Sequence, residues 1–166
     1  MSDSAEVVIR HARPEEVTRI AEIEGICFPA AEACPLKDFQ LRFSTFPENF
    51  FVADKNGEII GFINGCNNDI PDLPDELYHD TSLHKKDGSY LTVFGIDVLP
   101  AHQKGGIGAK LMERYILWAK ETGKKGVILT CKDHLVHWYE KFGYKKIGVS
   151  ASCHGGAKWN DMHLIF

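Results

Sequence analysis

The sequence predicts an α/β fold with a mixed central sheet, a single domain over residues 1–166. Segments with strand-like and helix-like apolar periods alternate along the chain, and Asn56-Gly57 splits two β-rich runs. No linker, internal repeat or low-complexity stretch divides the 166 residues.

The elements follow in order. Residues 7–9, Val-Val-Ile, read as a strand. Arg13-Pro14-Glu15-Glu16 then opens a helix, because proline suits a first turn and the two acids complement the helix dipole. Val17, Ile20 and Ile23 give that helix its apolar face, and Cys27-Phe28-Pro29 ends it. A second helix starts at Pro35, carries Leu36, Phe39, Leu41 and Phe43, and closes at Pro47. Residues 49–53 and 58–65 flank Asn56-Gly57, two residues that tolerate positive φ, so an antiparallel hairpin is expected. Residues 66–88, rich in Asn, Asp and Pro, read as a long loop carrying His79 and His84. Residues 89–98 are β-branched and aromatic and read as one strand; residues 107–120 form an amphipathic helix on Leu111, Tyr115 and Trp118, capped by Gly123. A strand at 127–130, a helix started by Asp133 that runs through Trp138 to Phe142, and strands at 144–149 and 161–165 complete the chain.

Composition narrows the function. Nineteen Lys plus Arg against 23 Asp plus Glu give a net charge of −4, so there is no general attraction for nucleic acid. No apolar run approaches the ~20 residues that span a bilayer. The N-terminal MSDSAEVVIR lacks the basic-then-apolar layout of a secretory signal, so the expectation is a cytoplasmic protein without a membrane partner. Five cysteines, with no CxxC pair and no short Cys/His ligand spacing, argue against a disulfide framework and against a metal site.

The most informative stretch runs from Val98 through Pro100, His102, Gln103, Lys104, Gly105, Gly106, Ile107 and Gly108 to Ala109, passing from strand into helix. Its glycines let the backbone approach a ligand closely, and the helix N-terminus adds partial positive charge, which suits a pyrophosphate with Lys104 as a further cation. A Walker loop is excluded because Gly-Lys-Ser and Gly-Lys-Thr are absent, and the dinucleotide fingerprint lacks its third glycine at Lys110-Leu111.

Gln103-x-x-Gly106-x-Gly108 resembles the Q/R-x-x-G-x-G/A motif of the GNAT superfamily of N-acetyltransferases, which cradles the pyrophosphate of acetyl-CoA. Cys34-Pro35-Leu36, the approach from Ser82 to Val98, and the block from Thr130 to Tyr144 resemble one branch, the arylalkylamine (serotonin) N-acetyltransferases, over roughly residues 20–166. The resemblance implies a GNAT-type mixed, mostly antiparallel central sheet flanked by helices, and acetyl-CoA as the acetyl donor. It further implies that the backbone of Ile96, Asp97 and Val98 pairs with the pantetheine arm like an added strand. Gln103, Lys104, Gly105, Gly106, Ile107, Gly108 and Ala109 would hold the pyrophosphate, and Tyr139, also a cofactor contact, would be the catalytic tyrosine that assists the departing thiolate.

The implied acceptor is a small arylalkylamine such as tryptamine, serotonin or phenethylamine, attacking directly in a ternary complex. Phe28, Pro35, Phe94, Thr130, His154 and Trp159 fall on the amine side. The family removes the ammonium proton through two histidines, whose positions here hold Thr92 and Phe94, so the base must be another group. His154 is the leading catalytic candidate, with His134, His137 and His84 as others. A thiolate route through Cys131 is the less favoured chemistry. Two other functions stay open: acetylation of polyamines or protein amino groups, and a noncatalytic acetyl-CoA-binding module.

Overall fold

In the computed structural model, which describes residues 6–166, the alternation of strand and helix resolves into two sheets. The strands are β1 Val7–His11, β2 Phe51–Lys55, β3 Glu58–Asn64, β4 Asn67–Asn68, β5 Tyr90–Thr92, β6 Gly95–Val98, β7 Gly126–Cys131, β8 Lys145–Val149 and β9 Asn160–Ile165. The helices are α1 Val17–Cys27, α2 Leu36–Thr45, α3 Glu76–His79, α4 Ile107–Glu121 and α5 Val136–Glu140. One sheet has the order β1-β2-β3-β6 and is antiparallel throughout. The other, β4-β5-β7-β9-β8, is antiparallel except for β5 beside β7. The expected mixed, mostly antiparallel α/β class is the one found.

Packing divides the described chain into two compact units. The first runs to Asn64 and adds Gly95–Tyr115; the second is Gly65–Phe94 with Ile116–Phe166.

In the first unit the hairpin forms where Asn56 (φ 54°) and Gly57 (φ 89°) turn the chain. Asp54 closes the turn by accepting the Gly57 N–H at 2.7 Å. Arg10 of β1 donates to the same Asp54 at 3.1 Å and to Glu16 at 2.6 Å, which fastens the start of the α1 segment to the sheet. That guanidinium holds the Glu16 carboxyl below the usual range. Ile20 and Ile23 of α1, Phe39 of α2, and Phe62 and Ile63 of β3 are fully buried, and Phe39 meets Phe62 edge-to-face at 5.6 Å. Truncating an aromatic at such a site to alanine costs about 3–5 kcal/mol.

In the second unit β7 is buried at Val127, Ile128 and Leu129, as a strand covered on both faces should be. Tyr144 is almost wholly buried, and loss of water pushes its phenol well above the usual range.

Two expectations change. The single strand over 89–98 is broken at Val93 and Phe94, because its halves join different sheets: Thr92 registers with Ile128 in one, Gly95 with Asn64 in the other. The long loop over 66–88 contains β4, α3 and a 3₁₀ turn at Thr81–Leu83. Its polar side chains order the backbone. Asn67 donates to the Lys86 carbonyl at 3.0 Å, Asn68 to that of Asp72 at 2.8 Å, and Asp80 accepts the Ser82 N–H at 3.0 Å.

Candidate active site

The first unit carries the glycine-rich loop. β6 is the last strand of its sheet, paired with β3 through Gly61↔Val98, Phe62↔Asp97 and Ile63↔Ile96. A terminal strand is the kind of edge to which an extended, amide-bearing ligand can add. Beyond it Pro100–Gly105 makes a 3₁₀ turn, and the exposed Gly106, at φ +74°, passes the chain into α4. An L side chain is strained at that φ. A Cβ built on Gly106 would have no heavy atom within 4 Å, so the space before the loop is open.

The amides of Ile107, Gly108 and Ala109 begin α4, where helix geometry supplies no acceptor within the helix. Beside them lies a cleft of about 910 Å³ whose lining includes Lys55, His102, Lys104, Gly105 and Lys110. Glycine backbone, helix start and three lysines together fit a diphosphate-bearing cofactor. The Gln103 side chain is turned inward and donates to the Val98 carbonyl at 2.9 Å, bracing the loop against the end of β6.

Phe28 and Pro35 line a second cavity of the first unit, about 570 Å³, together with Cys34 and Leu36. Behind it sits a feature that sequence reading missed. The Asp97 side chain is only 1% exposed and Glu24 of α1 only 8%, and neither oxygen of Asp97 meets a donor. Burial first, and the neighbouring Glu24 second, raise the Asp97 carboxyl well above the usual carboxylate range. The available signal was an acid within an otherwise apolar strand. Cys27 and Cys34, pushed by burial up to about 11 and about 12, are held as thiols.

The second unit gathers most of the amine-side candidates. Phe94 lies 4.8 Å from Tyr78, Tyr78 stacks on His154 at 5.6 Å and 7°, and His154 is 6.1 Å from Trp159. The Tyr78 hydroxyl is 3.3 Å from that of Thr130, and the Trp159 indole N–H donates to the His154 carbonyl at 2.9 Å. Tyr78, hidden in a segment that reads as loop, is therefore the centre of the cluster. Phe28 and Pro35 belong to the first unit.

The family's histidine positions hold non-basic groups in the structure as well. Thr92 is fully buried, donating to the Cys66 carbonyl at 3.0 Å and accepting the Cys66 N–H at 3.1 Å. Among the other histidines, the Nδ1 of His84 accepts the Asn67 N–H at 3.1 Å, a structural bond, while His134 and His137 are exposed. Tyr139 of α5 is buried, its ring edge-on to Trp138 at 5.0 Å and to Tyr144 at 5.9 Å, which fixes its orientation. Burial pushes the Cys131 thiol up to about 11, against its use as a nucleophile. Among the described residues no cluster of three His, Cys, Asp or Glu could hold a metal ion, and no helix is long and apolar enough to cross a membrane.

Known proteins with the same fold and related sequence carry the assignment further. Serotonin N-acetyltransferase from Mesocricetus auratus is 28% identical over 153 residues, covering 90% of this chain and 72% of that protein. An N-alpha-acetyltransferase from Sulfurisphaera tokodaii is also 28% identical, covering 95% of this chain and 90% of its own. The loading GNATL domain of CurA from Lyngbya majuscula superposes with a TM-score of 0.84 at 15% identity, covering 96% of this chain and 98% of that one. A GNAT family acetyltransferase from Brucella melitensis in complex with acetyl-CoA does so at 0.64 and 19% identity, covering 98% and 89%. The sequence profile of the acetyltransferase (GNAT) family matches residues 17–144, most of the chain, and the chain belongs to that family, whose acetyl donor is acetyl-CoA.

Proposed function

We propose that the chain transfers the acetyl group of acetyl-CoA to the primary amine of an arylalkylamine of the tryptamine, serotonin or phenethylamine type, by direct attack in a ternary complex. The observation that carries this reading is the aromatic run Phe94, Tyr78, His154 and Trp159 in the second unit. Such a run suits an aryl ring, and its faces attract a cationic amine. The 28% identity to a serotonin N-acetyltransferase supports the same reading.

Acetyl-CoA supplies an acetyl thioester already activated for attack by an amine. In the first unit Ile96, Asp97 and Val98 would offer the backbone edge for its arm, and the backbone from Gln103 to Ala109, with the Lys104 side chain, would cradle its diphosphate. In the second unit Tyr139 would be the acid that hydrogen-bonds the departing thiolate. Thr130 and the stacked His154 shape the aryl side. Phe28 and Pro35 add an apolar cavity wall in the first unit.

A second reading has its own support, since the N-alpha-acetyltransferase relative is equally similar and covers more of both chains. Coenzyme A release on a panel of tryptamine, phenethylamine, spermidine and a peptide with a free N-terminus separates the two. Turnover of the aryl amines is expected. Turnover of the peptide or spermidine alone overturns the aryl assignment, and acetyl-CoA binding without turnover of any amine would indicate a noncatalytic module.

A further inference from the structure

Gly95 and Asp97 are two apart on β6, so they face the same side of the sheet. A side chain at 95 would point at the buried acids: its Cβ would lie 3.4 Å from Asp97 Oδ1 and 3.8 Å from Glu24 Oε1. Gly95 is itself half-exposed. The missing side chain therefore leaves a slot at the strand surface beside carboxyl oxygens of two residues that are themselves shielded from bulk water.

Glu24 is fixed there, because its Oε2 accepts the Cys34 N–H at 2.9 Å while Oε1 is the oxygen nearest the slot. Asp97 meets no donor at either oxygen, so Glu24 can bond to it only if a proton lies between them. Four titratable or charged groups face Asp97. Glu24 and Cys27 come from α1, Cys34 from the turn before α2, and Arg42 from α2; Glu24 raises the carboxyl and Arg42 lowers it. Both thiols are neutral at physiological pH, so the local charge is two acids against one guanidinium. A buried acid left without a donor, beside a second acid that can hold an added proton, is built to receive a proton from a ligand.

We propose that Asp97 is the proton acceptor of the reaction: the acceptor's primary ammonium docks in the slot at Gly95 and gives its proton to Asp97, and Glu24 holds that proton in a hydrogen bond. The inference rests on the reading of the chain as an amine acetyltransferase. In the step, one N–H bond of the ammonium breaks and its electron pair stays on nitrogen, which becomes the nucleophile. The proton bonds to an Asp97 carboxylate oxygen, and the new O–H donates to the Glu24 carboxylate. The pair loses one negative charge and the amine one positive charge, so no counter-ion is required. A carboxyl lifted toward the working pH suits this task, since a free alkylamine with a pKa near about 10 arrives protonated.

The test compares wild type with Asp97→Asn, Glu24→Gln and Gly95→Ala, using whichever amine of the panel is turned over. Asp97→Asn should lower kcat/KM for the amine about 100-fold or more near pH 7. Its deficit should shrink as pH rises, because the amine then loses its proton unaided. Glu24→Gln should move the acid limb of the pH profile downward, and Gly95→Ala should raise the amine KM more than it lowers kcat.

Infrared titration of the enzyme without acetyl-CoA adds a readout independent of turnover: a protonated-carboxyl band should persist above the ordinary carboxylate range and vanish in Asp97→Asn. Should that variant fail to fold, the Glu24→Gln limb and the Gly95→Ala KM decide. A folded Asp97→Asn with the wild-type pH profile, or unshifted limbs in Glu24→Gln, overturns the assignment while leaving the acetyltransferase reading intact. A wild type that acetylates no amine overturns both.

Discussion

The two units offer different materials for the proposed recognition. The first relies on backbone and on charge: a loop whose Gly106 takes φ +74°, a lysine-lined cleft, and an acid pair that is almost wholly buried. The second relies on side-chain faces, with Tyr78 stacked on His154 at 7° and Phe94 and Trp159 on either side. A backbone cradle must be made from consecutive residues, because its donors are successive amides. A cluster of side-chain faces has no such constraint, and this one draws on positions 78, 94, 130, 154 and 159. On the proposed reading, cofactor recognition is compact in the sequence while recognition of the aryl part of the acceptor is dispersed.

The sharpest test of that separation is Gly106→Val. The substituted residue must hold a positive φ that β-branched side chains avoid, and it would fill the open space before the loop. Acetyl-CoA affinity, measured by calorimetry, should fall about 100-fold or more, equivalent to about 2.7 kcal/mol, with amine binding changed little. Retained affinity in a folded variant would remove the loop from the site. Next in size is Tyr139→Phe, which keeps the ring packed against Trp138 and Tyr144 but removes the hydroxyl. Loss of an acid typically lowers kcat about 100-fold. Binding of acetyl-CoA should survive, and an unchanged kcat would make Tyr139 a core aromatic only.

On the acceptor side the effects are smaller. Tyr78→Ala removes the ring that stacks on His154 and lies tilted against Phe94, and aromatic contacts of about 0.5–1.5 kcal/mol predict an aryl amine KM raised about three- to tenfold. His154→Ala should do the same while leaving the pH profile in place; a displaced profile would make His154 the base instead of Asp97. The acid pair also predicts a stability difference. A carboxyl raised in the folded state contributes stability below its ordinary value that is lost as pH rises through the raised one. Asp97→Asn does not titrate, so its stability relative to wild type should grow from pH 5 to pH 8, by about 1–3 kcal/mol if the buried charge goes unpaired. Parallel unfolding curves at the two pH values would mean that Asp97 does not titrate in this window.

What the sequence disclosed divides along the same line. The Asn56-Gly57 hairpin, the loop from Gln103 to Gly108 and the α4 that follows it were legible, since each is set by local φ preferences and periodicity. The break at Val93-Phe94 was not, because changing sheet partners within one strand leaves the β-rich composition of residues 89–98 untouched. Tyr78 escaped because Asn, Asp and Pro around it read as solvated chain, whereas Asn67 and Asn68 use their amides to order it. Glu24 was legible as a helix residue but not as a partner of Asp97, for their proximity depends on how α1 packs on β6.

Cys131→Ala carries the smallest expected effect. Burial, aided by Asp133, pushes its thiol up to about 11, so at pH 7 it is held as the thiol and not as the thiolate that a covalent route needs. Lys146 opposes the shift without reversing it. The side chain is 2% exposed, and removing its sulfur leaves a small gap at the end of β7. A modest loss of stability is therefore expected, with kcat within about twofold of wild type, because direct attack has no use for the sulfur. Initial-rate patterns should intersect, as a ternary complex requires. Parallel patterns, with acetyl-enzyme isolated in the absence of amine and lost in Cys131→Ala, would shift the chemistry onto the thiol.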